Sequence, residues 1–350
     1  MIMQKQEQEH KRRVRYSGRY PRKFEEKYKE LQPEKYAEEI EKIKAKGKTP
    51  AGTHIPIMVG EILEFLDIKP GMRGLDATLG YGGHSEKMLK KLAGEGHLLA
   101  IDVDGAEMAK TTERLRALGY GEDIFSVKKS NFADIAQLAD EYGKFDFILA
   151  DLGVSSMQID NPERGFSYKF DGPLDLRLDQ SKGVTASERL FGLSEEEIAG
   201  MLLDNADEPY AAQIAKAISR LQKSGTKIVS TTQLSYIIAN ALAFLPPKER
   251  NEAVKKSCRR TFQALRIDVN SEYEVLESFM EALPQVLNPG GKAAILTFHS
   301  GEDRIVKKAL KRLKKDELLS EIAAEVVRPS ASECYQNPRA HSTKMRWAVK

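Results

Sequence analysis

Apolar residues along this chain recur with two different periods, and the alternation between them is the first structural signal. From about residue 54 onward, short apolar runs alternate with stretches whose apolar positions repeat every three or four residues. Val59–Leu66 predicts an amphipathic helix, Gly74–Ala77 a short strand and Ser85–Leu92 a second helix. His97–Ile101 (HLLAI) predicts a buried strand, Ala106–Leu118 a helix, Ile124–Lys128 a third strand and Phe145–Ala150 (FDFILA) a fourth. Strands alternating with helices predict a parallel sheet with right-handed crossovers.

The alternation breaks between about Gln158 and Arg266. Glu195–Leu203, Ala211–Leu221 and Thr232–Leu242 predict helices there, and the strand signal returns only at Lys292–Phe298 (KAAILTF), after Asn288-Pro-Gly-Gly291. The simplest reading is an α/β core over 54–157 and 267–350, interrupted after its fourth strand by a helical insertion over 158–266. Residues 1–53 differ again. Residues 1–20 are polar and basic, and disorder is expected there. Residues 22–47 carry apolar positions at helical spacing that Pro33 splits into two short helices, and 48–52 predict a linker.

Composition narrows the class. Charged residues at 31% and hydrophobic ones at 41% are ordinary for a soluble globular chain. No apolar run approaches bilayer length, and the charged N-terminus has no apolar segment of a secretory signal. Two distant cysteines, Cys258 and Cys334, exclude a disulfide framework or a zinc pair, so a cytoplasmic location is the expectation. Residues 1–50 hold 15 Lys/Arg against 9 Asp/Glu, while the whole chain carries +3. A basic arm of this kind suits contact with phosphates, and equally a solubilising tail.

The chemistry gathers where predicted strands end. Asp76-Ala-Thr-Leu-Gly-Tyr-Gly-Gly-His84 lies between a strand and a helix, where glycines let the backbone approach a ligand. Asp102 closes the next strand and suits ribose hydroxyls. Together they point to an adenosine-containing cofactor, NAD or S-adenosylmethionine. The loop is not a clean G-x-G-x-x-G, and Asp76 could meet a cationic methionine end, which favours the methyl donor. Asp151-Leu-Gly-Val-Ser-Ser156 ends the fourth strand. An exocyclic amine is a poor nucleophile, and Asp151 is the candidate acceptor that helps it to react; a helix or turn cap is the alternative. In residues 161–177, Phe166, Tyr168 and Phe170 alternate with Arg164, Lys169 and Arg177, a pattern that fits base stacking or a packed loop. Arg259-Arg-Thr-Phe-Gln-Ala-Leu-Arg266 fits phosphate contacts or a solvated helix face. His299 could be a base or a structural strand-end histidine. No His/Cys/carboxylate set has metal-site spacing.

These segments resemble the RsmH (MraW) family of methyltransferases, which make N4-methylcytidine in 16S ribosomal RNA. The resemblance runs from His54 to near the C-terminus. DLGVSSMQIDNPERGFSYKFDGPLDLR is its most specific stretch, supported by RTFQALRI, PGGKAAILTFHSGEDRIVK and NPRAHSTKMR. It implies a class I Rossmann-like core with a helical insertion, S-adenosyl-L-methionine as cofactor, and 16S rRNA in the small ribosomal subunit as partner. A second copy of the chain is a candidate partner; neither membrane nor metal is expected. By matching position it implies cofactor contacts at Gly82, Gly83, His84, Asp102, Phe132, Asp151 and Gln158, with Asp151 also catalytic. Tyr81 stands where the family usually has Arg or Gly, Gly301 where it commonly has Leu, and residues 1–53 are additional, as in a divergent second copy. Methylation of another RNA and a non-catalytic rRNA-binding assembly factor are the alternatives.

Overall fold

The computed structural model describes residues 56–350. The readings made for residues 1–53 lie outside the described residues. The chain opens with α1 (Val59–Leu66) and then alternates: β1 (Arg73–Asp76), α2 (Gly83–Leu92), β2 (His97–Asp102), α3 (Gly105–Ala117), β3 (Phe125–Lys129), α4 (Ile135–Tyr142) and β4 (Phe145–Asp151). A run of helices follows: α5 (Ser156–Asp160), α6 (Ala186–Gly192), α7 (Glu195–Ala206), α8 (Ala211–Lys223), α9 (Thr231–Ala241), α10 (Pro247–Asn270) and α11 (Glu272–Val286). The chain then returns to the sheet through β5 (Leu287–Thr297), α12 (Ser300–Lys315), β6 (Glu321–Ile322), α13 (Ala331–Gln336) and β7 (Lys344–Val349).

The sheet has the order β3-β2-β1-β4-β5-β7-β6. Strands β1 to β5 pair in parallel, and β7 runs antiparallel to β5 and β6. Successive residues of a strand face opposite sides, so a sheet covered on both faces reads as a continuous apolar run. Leu99, Ile101, Ile148, Ala150 and Ile295 pack on one face under α4, α11 and α12. Their neighbours Leu98, Ala100, Phe147, Leu149 and Leu296 pack on the other under α1 and α2. This two-sided burial is why HLLAI and FDFILA show no polar alternation.

Local signals set the helix boundaries. Ser155, Thr185 and Ser194 each close a capping box with the Gln or Glu three residues on, at the starts of α5, α6 and α7. The third apolar cluster draws its buried members wholly from residues 166–265, including Ile198, Leu202, Ile214, Ile218, Leu234 and Phe262. Two differences from the sequence reading have plain causes. Helix α10 continues past 266 to Asn270, because no glycine or proline interrupts it before Ser271 takes a left-handed conformation at φ 49°. Strand β5 begins at Leu287, so Asn288-Pro-Gly-Gly291 lies within it, opposite a register shift between Phe145 and Phe147.

Candidate active site

In an open parallel sheet, ligands sit beyond the carboxyl ends of strands where the chain order reverses. Here the reversal lies between β1 and β4, and the three adjacent strands β2, β1 and β4 end in Asp102, Asp76 and Asp151. A cleft of about 720 Å³ opens there, lined by the glycine loop, all of Asp102–Asp104, Ser130–Phe132, Asp151–Ser156 and Gln158. All seven residues expected to contact the cofactor line this one cleft.

The three carboxylates have different surroundings. Asp76 is buried; Ser85 donates its hydroxyl to it at 2.5 Å and the Thr78 amide donates at 3.1 Å. Burial raises its pKa against these bonds and the nearby His84. It braces the glycine loop, a role different from the expected one facing a methionine end. Asp102 accepts the amides of Gly80 at 2.8 Å and Asp104 at 2.9 Å. Burial raises its pKa as well, and no Lys or Arg among the described residues pairs with it. Asp151 is fixed through its own amide, which donates to the Thr78 hydroxyl at 2.7 Å. Its Oδ2 stands 3.4 Å from His84 Nε2, while Oδ1 is buried and accepts no hydrogen bond.

Glycine is required at 82. Its φ is +64°, and a Cβ there would lie 2.7 Å from Thr111 Cγ2 and 2.9 Å from Leu115 Cδ1. Gly82→Ala is therefore expected to destabilise the protein by about 1–3 kcal/mol through backbone strain and crowding. Urea unfolding at unchanged slope would read this as a lower midpoint, and an unmoved midpoint would refute it. At Gly83 a Cβ would crowd Pro56 at 3.2 Å. Phe132 lies half-buried in a short 3-10 turn, edge-on to Phe279 at 5.5 Å, with its ring available to the cleft. Gln158 spends its side chain internally: Oε1 accepts the Ser155 amide at 2.9 Å and Nε2 donates to Asp104 at 3.0 Å.

Asp104 is the residue that sequence reasoning missed. It caps α3 through the Glu107 amide at 3.3 Å and takes Arg164 Nη1 at 2.5 Å. Arg164 also donates to the carbonyls of Arg177 and Leu178, so it fastens the 161–178 loop to the tip of β2. The signal was present in Asp104-Gly-Ala-Glu107, an aspartate at a helix start with a glutamate three residues on. The alternation of aromatics and cations in that loop is largely internal packing. Phe166 is buried and Tyr168 packs against Phe262, Arg164 is buried, Arg177 pairs with Asp175 at 2.7 Å, and Phe170 alone of the three aromatics is exposed.

The far wall of the cleft comes from α10, α11 and the start of α12. Arg266 clamps Glu272 with two hydrogen bonds of 2.7 Å. His299 caps α12: its Nδ1 accepts the Glu302 amide at 3.4 Å, and Glu302 in turn accepts the Phe298 amide at 2.8 Å. That geometry makes His299 a structural histidine. Glu272, His299 and Glu302 bring ligand-type atoms within 4.8 Å of one another, but Arg266 already supplies positive charge to Glu272. Gly301 has its reason here too, because a Cβ would lie 1.9 Å from the Tyr273 hydroxyl. Tyr273 fills that space and donates to the Asn205 carbonyl at 2.9 Å.

A doubly wound sheet with a glycine loop, a cation-free acid on the second strand and an open cleft at the reversal point defines a Rossmann-like nucleoside-cofactor protein. Residues 51–350 match the MraW methylase family, and the chain belongs to that family. It is 62% identical to Ribosomal RNA small subunit methyltransferase H 1 of Agathobacter rectalis, over 99% of both chains. It is 57% identical to Ribosomal RNA small subunit methyltransferase H 2 of Alkaliphilus metalliredigens, over 99% of this chain and all of that one. Ribosomal RNA small subunit methyltransferase H of Methylobacillus flagellatus is 38% identical over 84% of this chain and 94% of its own.

Proposed function

We propose that this chain is an S-adenosylmethionine-dependent methyltransferase that methylates the N4 amino group of a cytidine in 16S ribosomal RNA. The observation that carries the reading is the pairing, in one cleft, of a cation-free carboxylate at β2 with a partly exposed carboxylate at β4 that makes no hydrogen bond. The residues present fit the cofactor. Asp102 can accept both hydroxyls of a ribose, Phe132 offers an apolar face to a purine, and the glycine loop admits the rest without side-chain obstruction. When bound, S-adenosylmethionine supplies an electrophilic methyl group on a sulfonium centre.

The remaining work belongs to the protein. The partly exposed Asp151 carboxylate accepts a hydrogen bond from the target amine N–H, which favours a pyramidal nitrogen whose lone pair is no longer committed to the ring. His84, beside Oδ2, keeps the carboxylate turned toward the cleft. Exclusion of water by the surrounding loops strengthens both contacts. Residues 158–266 form the substrate-recognition segment, a reading supported by α10 and the 177–183 loop contributing to the lining of the cleft. An rRNA substrate implies action in the cytoplasm, and no helix among the described residues is long and apolar enough to cross a membrane.

Asp102→Asn is expected to weaken S-adenosylmethionine binding about 10–100-fold, the worth of hydrogen bonds to a charged acceptor. Because burial raises the Asp102 pKa above its ordinary 3.8, the carboxylate protonates earlier than usual as pH falls. Wild-type affinity should therefore decline on acidification from a pH above that ordinary value, and the Asn variant should lack this decline. Titration calorimetry across pH reads both, and identical pH profiles would contradict the assignment. The function itself is tested by incubating purified protein with labelled cofactor and unmodified small subunits, then analysing nucleosides by mass spectrometry. N4-methylcytidine is the expected product; label in no nucleoside, or in another one, would refute the proposal.

A further inference from the structure

Beyond the cofactor cleft, the middle of helix α10 carries charge of one sign. Between Ala253 and Ile267 it holds Lys255, Lys256, Arg259, Arg260 and Arg266 and no acid, although residues 51–350 as a whole carry a net negative charge. Lys248, Lys255, Arg259 and Arg266 are spaced seven, four and seven residues apart, which places them on one face of a helix. Arg266 ends that row inside the cleft, committed to Glu272. Arg259, about two turns earlier, also lines the cleft but is exposed.

The other cations at the cleft are already balanced. Arg177 pairs with Asp175 at 2.7 Å, Arg339 with Asp160 at 3.0 Å, and Lys182 lies 4.0 Å from Asp179. Among the described residues no carboxylate lies within ion-pair distance of Arg259 or Lys255. Glu252, on the turn before them, is engaged at 3.6 Å by Lys256. Helix α12 is also cationic from Arg304 to Lys315, but none of those residues lines the cleft, whereas Arg259 does. A row of unbalanced cations leading into an enzyme's cleft fits a polyanion that must pass that rim.

We infer that Arg259 and Lys255 form a phosphate-binding track that holds the backbone of the RNA strand flanking the target nucleotide. This inference rests on the RNA methyltransferase reading and assigns it a surface. Arg259 contacts the phosphate nearest the inserted base, and Lys255 one further out along the strand. Phosphate contacts of this kind fix register without reading sequence. They reveal themselves in salt dependence, because each neutralised phosphate releases condensed counterions.

The test is the binding of a 16S rRNA transcript, and separately of unmodified small subunits, measured from about 50 to about 300 mM salt, where counterion release dominates. Arg259→Gln and Lys255→Gln are each expected to flatten the slope of log affinity against log salt by about 0.7–1, and the double variant by the sum. Arg259→Lys, which keeps the charge, should keep the slope. Unchanged thermal unfolding of each variant confirms that folding is intact, since both side chains are exposed. Weaker binding at an unchanged slope, or wild-type affinity and slope in both Gln variants, would overturn the track. Failure of the wild-type protein to bind either RNA would instead overturn the functional reading beneath it.

Discussion

Replacing Asp151 with alanine is expected to slow methyl transfer about 10²–10³-fold, the range found when one pre-aimed polar group is removed from a reacting centre. The protein should stay folded. The Asp151 carboxylate makes no hydrogen bond in the structure; what anchors the residue is its amide on Thr78, which alanine retains. Removing the side chain leaves no donor stranded except His84 Nε2, which already lacks a bond. An asparagine side chain keeps one acceptor oxygen in place, so Asp151→Asn should recover part of the lost rate. Single-turnover measurements at saturating cofactor and rRNA report both variants. A wild-type rate in the alanine variant would remove Asp151 from the mechanism.

The second large effect lies outside the reacting centre. Arg164→Ala is expected to cost about 3–5 kcal/mol of stability, because it leaves a buried carboxylate without its counter-charge. Arg164 and Asp104 are both more than nine-tenths buried and 2.5 Å apart. Burial pushes the Asp104 pKa up, but the Arg164 hydrogen bond and charge, with Gln158, outweigh it and hold the carboxyl below its ordinary 3.8. A depressed folded-state pKa stabilises the protein above the unfolded-state value, and that contribution is lost as pH falls through the folded-state value. The gap between wild type and Arg164→Ala should therefore be full near neutrality and shrink in acid below about pH 4. Urea unfolding at several pH values measures this. A loss under about 1 kcal/mol at neutral pH, far short of the worth of a buried pair, would contradict the structural role.

Much of this was legible along the chain, for identifiable reasons. Strands buried on both faces appear as uninterrupted apolar runs, so HLLAI and FDFILA were readable, as were the acids Asp102 and Asp151 that close them. Helices α7, α8 and α9 showed themselves through spacing, and serine precedes α7 and α9 as the cap that bonds. What was hidden depends on contacts between distant segments. Nothing local says that Arg164 faces Asp104 across 60 residues rather than a phosphate. Gln158 was legible only as a position near the ligand; that its amide also bonds Ser155 and Asp104 depends on distant contacts. His299 could have been a base or a strut, and only its bond from the Glu302 amide decides for the strut. Gly301 is a bare departure from the family pattern in sequence; in the fold, Tyr273 occupies the space a side chain would need.

Every role assigned to the cleft requires that the tips of β1, β2 and β4 hold the sulfonium donor. Isothermal titration of the purified full-length chain with S-adenosylmethionine tests it directly, with NAD as the competing ligand. The expected result is saturable binding of S-adenosylmethionine at one site per chain, strongly weakened by Asp102→Asn, and no heat from NAD. Absence of S-adenosylmethionine binding by the folded protein, or tighter binding of NAD, would contradict it.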